Sequence, residues 1–527
     1  MNNSRSDWRN EGWDYLKSHK NEKWDIVIVG GGITGAGIFL EASRLGLKVL
    51  LVEGRDFAWG CSSRSSKLVH GGLRYLKQGN PLLTRHSVTE REHLLKEAAG
   101  LVTPLNFLLP VYKGEHSSRF LYGLGLAVYD LIAMHWNHKY LNKSTFVKWF
   151  PNIDTDNLSG GYLYQDAQVD DARLVYRVIQ EARELGGMAL NYVRVEDIIR
   201  HKDYVTGATL CEANSGERLE IVSPLIVNAT GIWSNTLCRK SPVSLRAVRG
   251  SHLVFPADRL AVDNAITYIH PRDDRMVFAI PWEGTTIVGT TDVDHGVAGY
   301  SEVSMSQQEV EYLLEIVNAK FPGLHLRKSD IQSGFSGIRS IISSGKSDPS
   351  KESRDHQIWD DGGLLSITGG KLTTFRKMAL DLLKHARPYL HGSVGGLKRD
   401  IIFHKPHPKG FSGIDLSPDI EDRLLGRYGD NSYELLNMSE QGDLDLIPGT
   451  HTTWAEIKWA ALSESVNHLD DILLRRVRVG LLLAETGHHI LPRVRTLCQK
   501  ALGWPDERWL QEEKAYKHII DTYYSVK

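Results

Sequence analysis

The sequence predicts an α/β (α+β) protein with a Rossmann-type β-α-β unit near its N-terminus, a mixed sheet through its middle and a helical region at its C-terminal end. Three observations predict it. An unbroken apolar run meets clustered glycines from Trp24 onward. Short apolar runs flank a well-signalled helix between residues 250 and 370. After about residue 400 the strand-like runs cease and helix signals take over.

In the first unit, WDIVIVGGGITGAGIFLEASRLGLKVLLVEG, the apolar runs have the continuity of parallel strands buried on both faces. Ile38, Ala42 and Leu45 share one helical face, and Gly46 stands where a left-handed helix cap is expected. In the middle region, Ser306 and Glu309 form a capping box for a helix that Pro322-Gly323 stops. HLVFP at 252–256, MVFAIPW at 276–282, TTIVGTT at 285–291 and LLSIT at 364–368 read as strands of a mixed sheet. The segment from Lys405 to Pro418 reads as a linker. Beyond it Ser417-Pro418 opens a helix, Thr453 and Glu456 cap another, and LLRRVRVGLLLAETG continues the helical pattern. The expected boundaries are 21–390 for the nucleotide-binding part, with substrate-binding stretches at roughly 90–150 and 240–335, and 400–527 for a separate helical domain.

The 527 residues are 41% hydrophobic and 24% charged, as in a soluble protein of two or three domains. A net charge of −1 and the absence of a basic stripe argue against nucleic acid as a partner. Cys61, Cys211, Cys238 and Cys498 form neither a disulfide framework nor a metal-type spacing, which fits a reducing, cytoplasmic setting. The charged N-terminus lacks the apolar core of an export signal. The stretch from Leu121 to Met134 is too short to span a bilayer and reads as a buried helix, with a monotopic membrane contact as the alternative.

Gly30, Gly32 and Gly35 stand as GxGxxG between strand and helix, where absent side chains let the backbone approach a pyrophosphate at a helix N-terminus. Glu53 ends the second strand 23 residues after Gly30, where an adenosine ribose needs a carboxylate. FAD or NAD is thus expected rather than NADP. Two distant segments favour FAD: the small-residue turn Ala229-Thr230-Gly231, and Gly370-Lys371-Leu372-Thr373, a glycine turn whose helix could stabilise negative charge on a reduced flavin.

The runs GGGITGAG, CSSRSSKLVHGGLRYL, QVDDARLV, NATGIWS, GSHLVF, IPWEGTTIVGTTDVD, FSGIRS and GGKLTTFRK occur in this order over roughly residues 24–380. In them the chain resembles the FAD-dependent glycerol-3-phosphate dehydrogenases, and RVRVGLLLAETGHHILPRV resembles that family's helical domain. The resemblance implies a glutathione-reductase-like FAD domain with an interleaved substrate domain. It also implies oxidation of glycerol 3-phosphate, electron transfer to membrane quinone and peripheral attachment to the inner face of the cell membrane; a homodimer stays open. Ser62, Ser63, Ser66, Lys67, His70, Gly71, Gly72 and Thr34 join the glycines and Glu53 as expected FAD contacts. Arg74, Tyr75 and Arg354 are expected to bind the substrate's phosphate. His252, with His70 as second candidate, is the expected base, and Arg339 with Lys371 the expected stabilisers of the alkoxide. The chain departs from the family in Ser340, where proline is usual, and in Trp59-Gly60-Cys61. A glycerophosphate oxidase and an amino-acid oxidase on the same scaffold are the rival readings. The short interval between FSGIRS and GGKLTT favours the dehydrogenase.

Overall fold

A computed structural model describes residues 7–72, 81–114, 119–133, 136–238, 241–273, 275–296, 302–346, 348–349, 352, 354–390, 401–406 and 416–526. Ile26–Val29 and Val49–Glu53 pair in parallel and sandwich the helix Ile33–Arg44. They lie inside a six-stranded sheet ordered His356–Asp360, Leu364–Gly369, Ile226–Asn228, Ile26–Val29, Val49–Glu53, Met188–Asn191. Every pairing in it is parallel except that of the edge strand His356–Asp360. Helices Ile33–Arg44, Asp171–Glu184 and Phe375–Ala386 pack on one face, around Ile26, Ile28, Leu51 and Val227. The three-stranded antiparallel sheet of Val193–His201, Tyr204–Glu212 and Arg218–Val222 covers the other.

A second, ten-stranded sheet takes in Val102–Tyr112, Leu158–Val169, Leu245–Pro256, Ala265–Ile269, Met276–Trp282, Thr285–Gly289 and Ser333–Ile342. It receives the apolar runs at 252, 276 and 285 but not the one at 364. Leu364–Gly369 is buried along both faces and runs parallel to Ile226–Asn228 in the nucleotide-binding sheet. The long strand Leu158–Val169 lies in the ten-stranded sheet although it falls outside both expected substrate-binding stretches.

The C-terminal helices enclose one small cluster of their own, around Leu424, Leu435 and Trp459. Their larger core is shared: Ile457, Val466, Leu473 and Trp509 pack with Val254, Trp282, Ile287 and Phe335 of the ten-stranded sheet. The region is therefore docked on the rest of the chain through a shared core. LLRRVRVGLLLAETG does not form a continuous helix. Asp471–Arg476 is a wide π turn, Val479–Leu482 a single α turn, and Arg478 between them is left-handed at φ 65°. Arg475 and Arg476 turn inward from this irregular stretch to pair with Asp56.

The helix Arg119–Ala133 also departs from expectation. Leu126 and Tyr129 are buried, but Phe120, Leu121, Leu124 and Leu131 are 52–78% exposed, so the helix also turns an apolar face outward. Among the described residues no helix is long and apolar enough to cross a membrane.

Candidate active site

One cavity of about 850 Å³ runs between the two large sheets, from Glu53 and the glycine turn to Arg339, Arg354 and Lys371. At its nucleotide end Gly30 is at φ 113°, and a Cβ on Gly35 would lie 1.8 Å from the Gly30 carbonyl oxygen. These two positions set the close crossing of strand and helix that brings the helix N-terminus to the cavity. The helix has no side-chain cap at Gly32; Ser62 Oγ accepts from the Ile33 amide at 3.0 Å. Glu53 accepts from the amides of Gly31 and Arg55 at 2.7 and 2.8 Å, and burial pushes its carboxyl above the ordinary range.

Gly30, Gly32, Thr34, Glu53, Ser62, Ser66, His70, Gly72, Ala229, Thr230, Gly231, Gly370, Leu372 and Thr373 line the cavity. Several expected contacts support this wall from behind instead. Gly35 packs on Gly30, and Gly71 donates its amide to Asp166 at 3.1 Å. The carbonyl of Ser63 accepts from Lys67, whose fully buried ammonium also pairs with Asp171 at 2.8 Å.

The opposite end is cationic. Arg339 reaches the wall because its strand crosses Gly250, where a Cβ would meet the guanidinium at 2.3 Å. It donates to Thr290 Oγ1 at 2.8 Å and to the Thr291 carbonyl at 3.2 Å, and it pairs with Asp292. Arg354 reaches the same carboxylate at 3.7 Å. Lys371 donates to Ser87 Oγ at 2.8 Å, and burial pushes its ammonium down to about 7 against the charges of Asp166 and Asp355. Arg74 and Tyr75 lie outside the described residues.

His252 does not line the cavity. It is buried in its strand, stacked on Phe335 with ring centroids 4.7 Å apart, and its Nε2 meets Ser66 Oγ at 2.8 Å. Burial, with the cations Arg339 and Lys67, holds the imidazole well below its ordinary value. Ser66, not His252, is the group that faces the cavity.

Ser340 ties the arginine strand to the nucleotide side: its hydroxyl meets Thr368 Oγ1 at 2.6 Å, and Thr368 donates to the Gly231 carbonyl at 3.2 Å. Trp59 lines the cavity 6.0 Å from Trp233, and Cys61 lies beside it. Sequence reasoning missed Asp292, although it stands in the quoted TTDVD run. It also missed Tyr192 and His468, which carry no motif.

The family model for FAD dependent oxidoreductases matches residues 25–374, two-thirds of the chain. The chain belongs to this family. The cradle fits the cofactor: backbone that tolerates no Cβ, a helix N-terminus, and a ribose-side carboxylate at Glu53 with the Ala229-Thr230-Gly231 turn opposite. A model for the C-terminal domain of alpha-glycerophosphate oxidase matches residues 369–509. The aerobic glycerol-3-phosphate dehydrogenase of Staphylococcus haemolyticus is 35% identical over 489 residues, and that of Staphylococcus aureus strain MRSA252 34% over 488; 87% of each chain is covered. The structure of the Bacillus halodurans glycerol-3-phosphate dehydrogenase complexed with FAD superposes with a TM-score of 0.77 at 27% identity, covering 98% of this flavoprotein chain and 97% of that one. A Bacillus cereus glycine oxidase shares the fold at a TM-score of 0.53 and 19% identity, over 69% of this chain and 95% of its own.

Proposed function

We propose that this flavoenzyme oxidises sn-glycerol 3-phosphate at its secondary alcohol to dihydroxyacetone phosphate. The observation that carries this reading is the single cavity joining a dinucleotide cradle to the Arg339–Arg354–Lys371 cluster. Arg339, Arg354 and Lys371 bring three basic side chains to one end of the cavity, and guanidinium forks suit the oxygens of a phosphate dianion. The names of the dehydrogenase relatives support the same substrate. An amino acid would bring a monoanionic carboxylate, for which fewer cations suffice.

FAD, when bound, supplies a two-electron acceptor for the hydride at C2. The chain's own residues then have three tasks. Arg354, with Arg74 and Tyr75, holds the phosphate end. Arg339 and Lys371 stabilise charge growing on the C2 oxygen, in a site where low dielectric strengthens each contact. His70 at the wall takes the hydroxyl proton, with His252 behind Ser66 Oγ as the second candidate base.

Electrons then pass to a membrane quinone, with the protein held on the cytoplasmic face of the membrane. The exposed face of Arg119–Ala133 supports this, because Phe120, Leu121, Leu124 and Leu131 form one stripe and Trp136, 68% exposed, stands just beyond. The oxidase-type C-terminal match favours oxygen as the second reading. Anaerobic mixing with glycerol 3-phosphate should bleach the oxidised flavin bands, and a quinone analogue should restore them faster than oxygen does. No bleaching refutes the substrate, and rapid peroxide formation without quinone refutes the acceptor.

A further inference from the structure

The irregular segment 467–478 lies some 400 residues from the glycine motif yet meets the nucleotide end of the cavity directly. His468 is part of the cavity wall, next to Tyr192, with ring centroids 5.0 Å apart at 66°. Asp471 organises that corner. It accepts from the Tyr192 hydroxyl at 2.6 Å and from the amides of Asn467 and His468 at 2.8 and 2.9 Å. Tyr192 is left-handed at φ 56°, and its amide donates to the Arg55 carbonyl at 2.9 Å, so the hydroxyl bond fixes a residue whose backbone is already constrained.

The same segment grips two more pieces of the wall. Gly54 and Arg55 line the cavity just past Glu53, and the next residue, Asp56, is completely buried. Its carboxylate accepts from Arg475 Nε at 2.6 Å and from Arg476 Nη1 and Nη2 at 2.8 Å each. Ser62 and Ser66 line the cavity, and between them the Ser63 carbonyl accepts from Arg478 Nη2 at 2.6 Å. Arg478 makes this bond from its left-handed backbone, a conformation that non-glycine side chains rarely adopt and that collects at functional sites. A π turn is what lets Asp471, Arg475 and Arg476 all point inward within six residues.

We propose that segment 467–478 of the C-terminal region is part of the FAD-binding site: His468 closes the adenosine end, and Asp471, Arg475, Arg476 and Arg478 hold three wall loops in binding geometry. The inference rests on FAD as the cofactor and assigns a task in retaining it to a region outside the nucleotide-binding unit. His468 is a binding residue in this account; the acid and the three arginines are positioning residues.

The test is the rate at which the holoenzyme releases FAD on dilution, followed by the fluorescence of the freed cofactor. His468→Ala, which also removes the pair with Glu512 at 3.1 Å, should release FAD about tenfold faster, the scale of one lost contact to a polar group. FMN, which lacks the adenylate half, should bind wild type and His468→Ala alike. Arg478→Met should release FAD at least as fast as His468→Ala does, and Arg478→Lys should recover much of the loss. Where Arg478→Met does not fold, Tyr192→Phe, which removes only the hydroxyl held by Asp471, replaces it with the same expected direction. Release within twofold of wild type for His468→Ala and for the positioning variant overturns the proposal, as does equal weakening of FAD and FMN by His468→Ala. A wild-type protein purified without FAD defeats the cofactor reading itself, a result seen before any variant is made.

Discussion

Gly35→Ala perturbs the crossing on which the cofactor cradle is built. The new Cβ would stand 1.8 Å from the Gly30 carbonyl oxygen, whereas ordinary contact begins at 3.4 Å, and the obstructing atom is backbone that cannot rotate aside. Strand and helix must separate by roughly 1.5 Å to restore van der Waals distance. Overpacking of this kind costs typically 1–3 kcal/mol, and an obstruction by fixed backbone puts it near about 3 kcal/mol. If the displaced Gly30–Gly32 turn carries that cost, FAD binding weakens about 150-fold. Gly32→Ala is the matched control. Its Cβ would meet only Ser62 Oγ, at 3.1 Å, so the apoprotein tolerates it while the methyl group intrudes at the cavity wall. The assay is FAD content per chain with thermal midpoints of apo and loaded protein. Gly35→Ala should lower both midpoints, and Gly32→Ala only that of the loaded form. Wild-type FAD content and midpoint in Gly35→Ala, or identical behaviour of the two variants, would refute the reasoning.

Arg339→Ala should retain FAD and lose about 10²–10³-fold in turnover, as removal of one preorganised charge donor does, in steady-state assays with glycerol 3-phosphate. For Lys371 the cation exists below about pH 7 and is lost above it, because burial has lowered its pKa; kcat/KM should carry a limb that falls as pH rises through 7, and Lys371→Met should lack it. Asp56→Asn leaves Arg475 and Arg476 buried against a neutral amide, which should destabilise the fold by about 3–5 kcal/mol in denaturant titrations. Phe120→Glu with Leu124→Glu should abolish sedimentation with phospholipid vesicles while leaving turnover on a soluble quinone analogue unchanged, since each side chain forfeits about 1.5–3 kcal/mol of apolar burial.

What the sequence determined by itself was local and chemical. Glycine at 30 and 35 encodes a close backbone crossing that a Cβ would obstruct, Ser306 with Glu309 and Thr453 with Glu456 do form capping boxes, and the apolar runs become strands. These features depend on neighbours a few residues apart, so pattern suffices to read them. Tertiary structure decided which sheet each strand joins, sending Leu364–Gly369 to the parallel sheet, and which side of a loop each side chain faces. Periodicity could not show that His252 stands behind Ser66 or that Lys67 turns away to Asp171, because strand and loop orientation are fixed by partners about 100 residues or more away. The apolar face of Arg119–Ala133 has the composition of a core helix, and only the packed chain shows that nothing among the described residues covers Phe120 and Leu131. The arginines of 475–478 stand in a run that reads as helix; Asp470 and Asp471 pair with Arg475 locally, but Asp56 and Asp171 lie hundreds of residues upstream, where pattern along the chain does not reach.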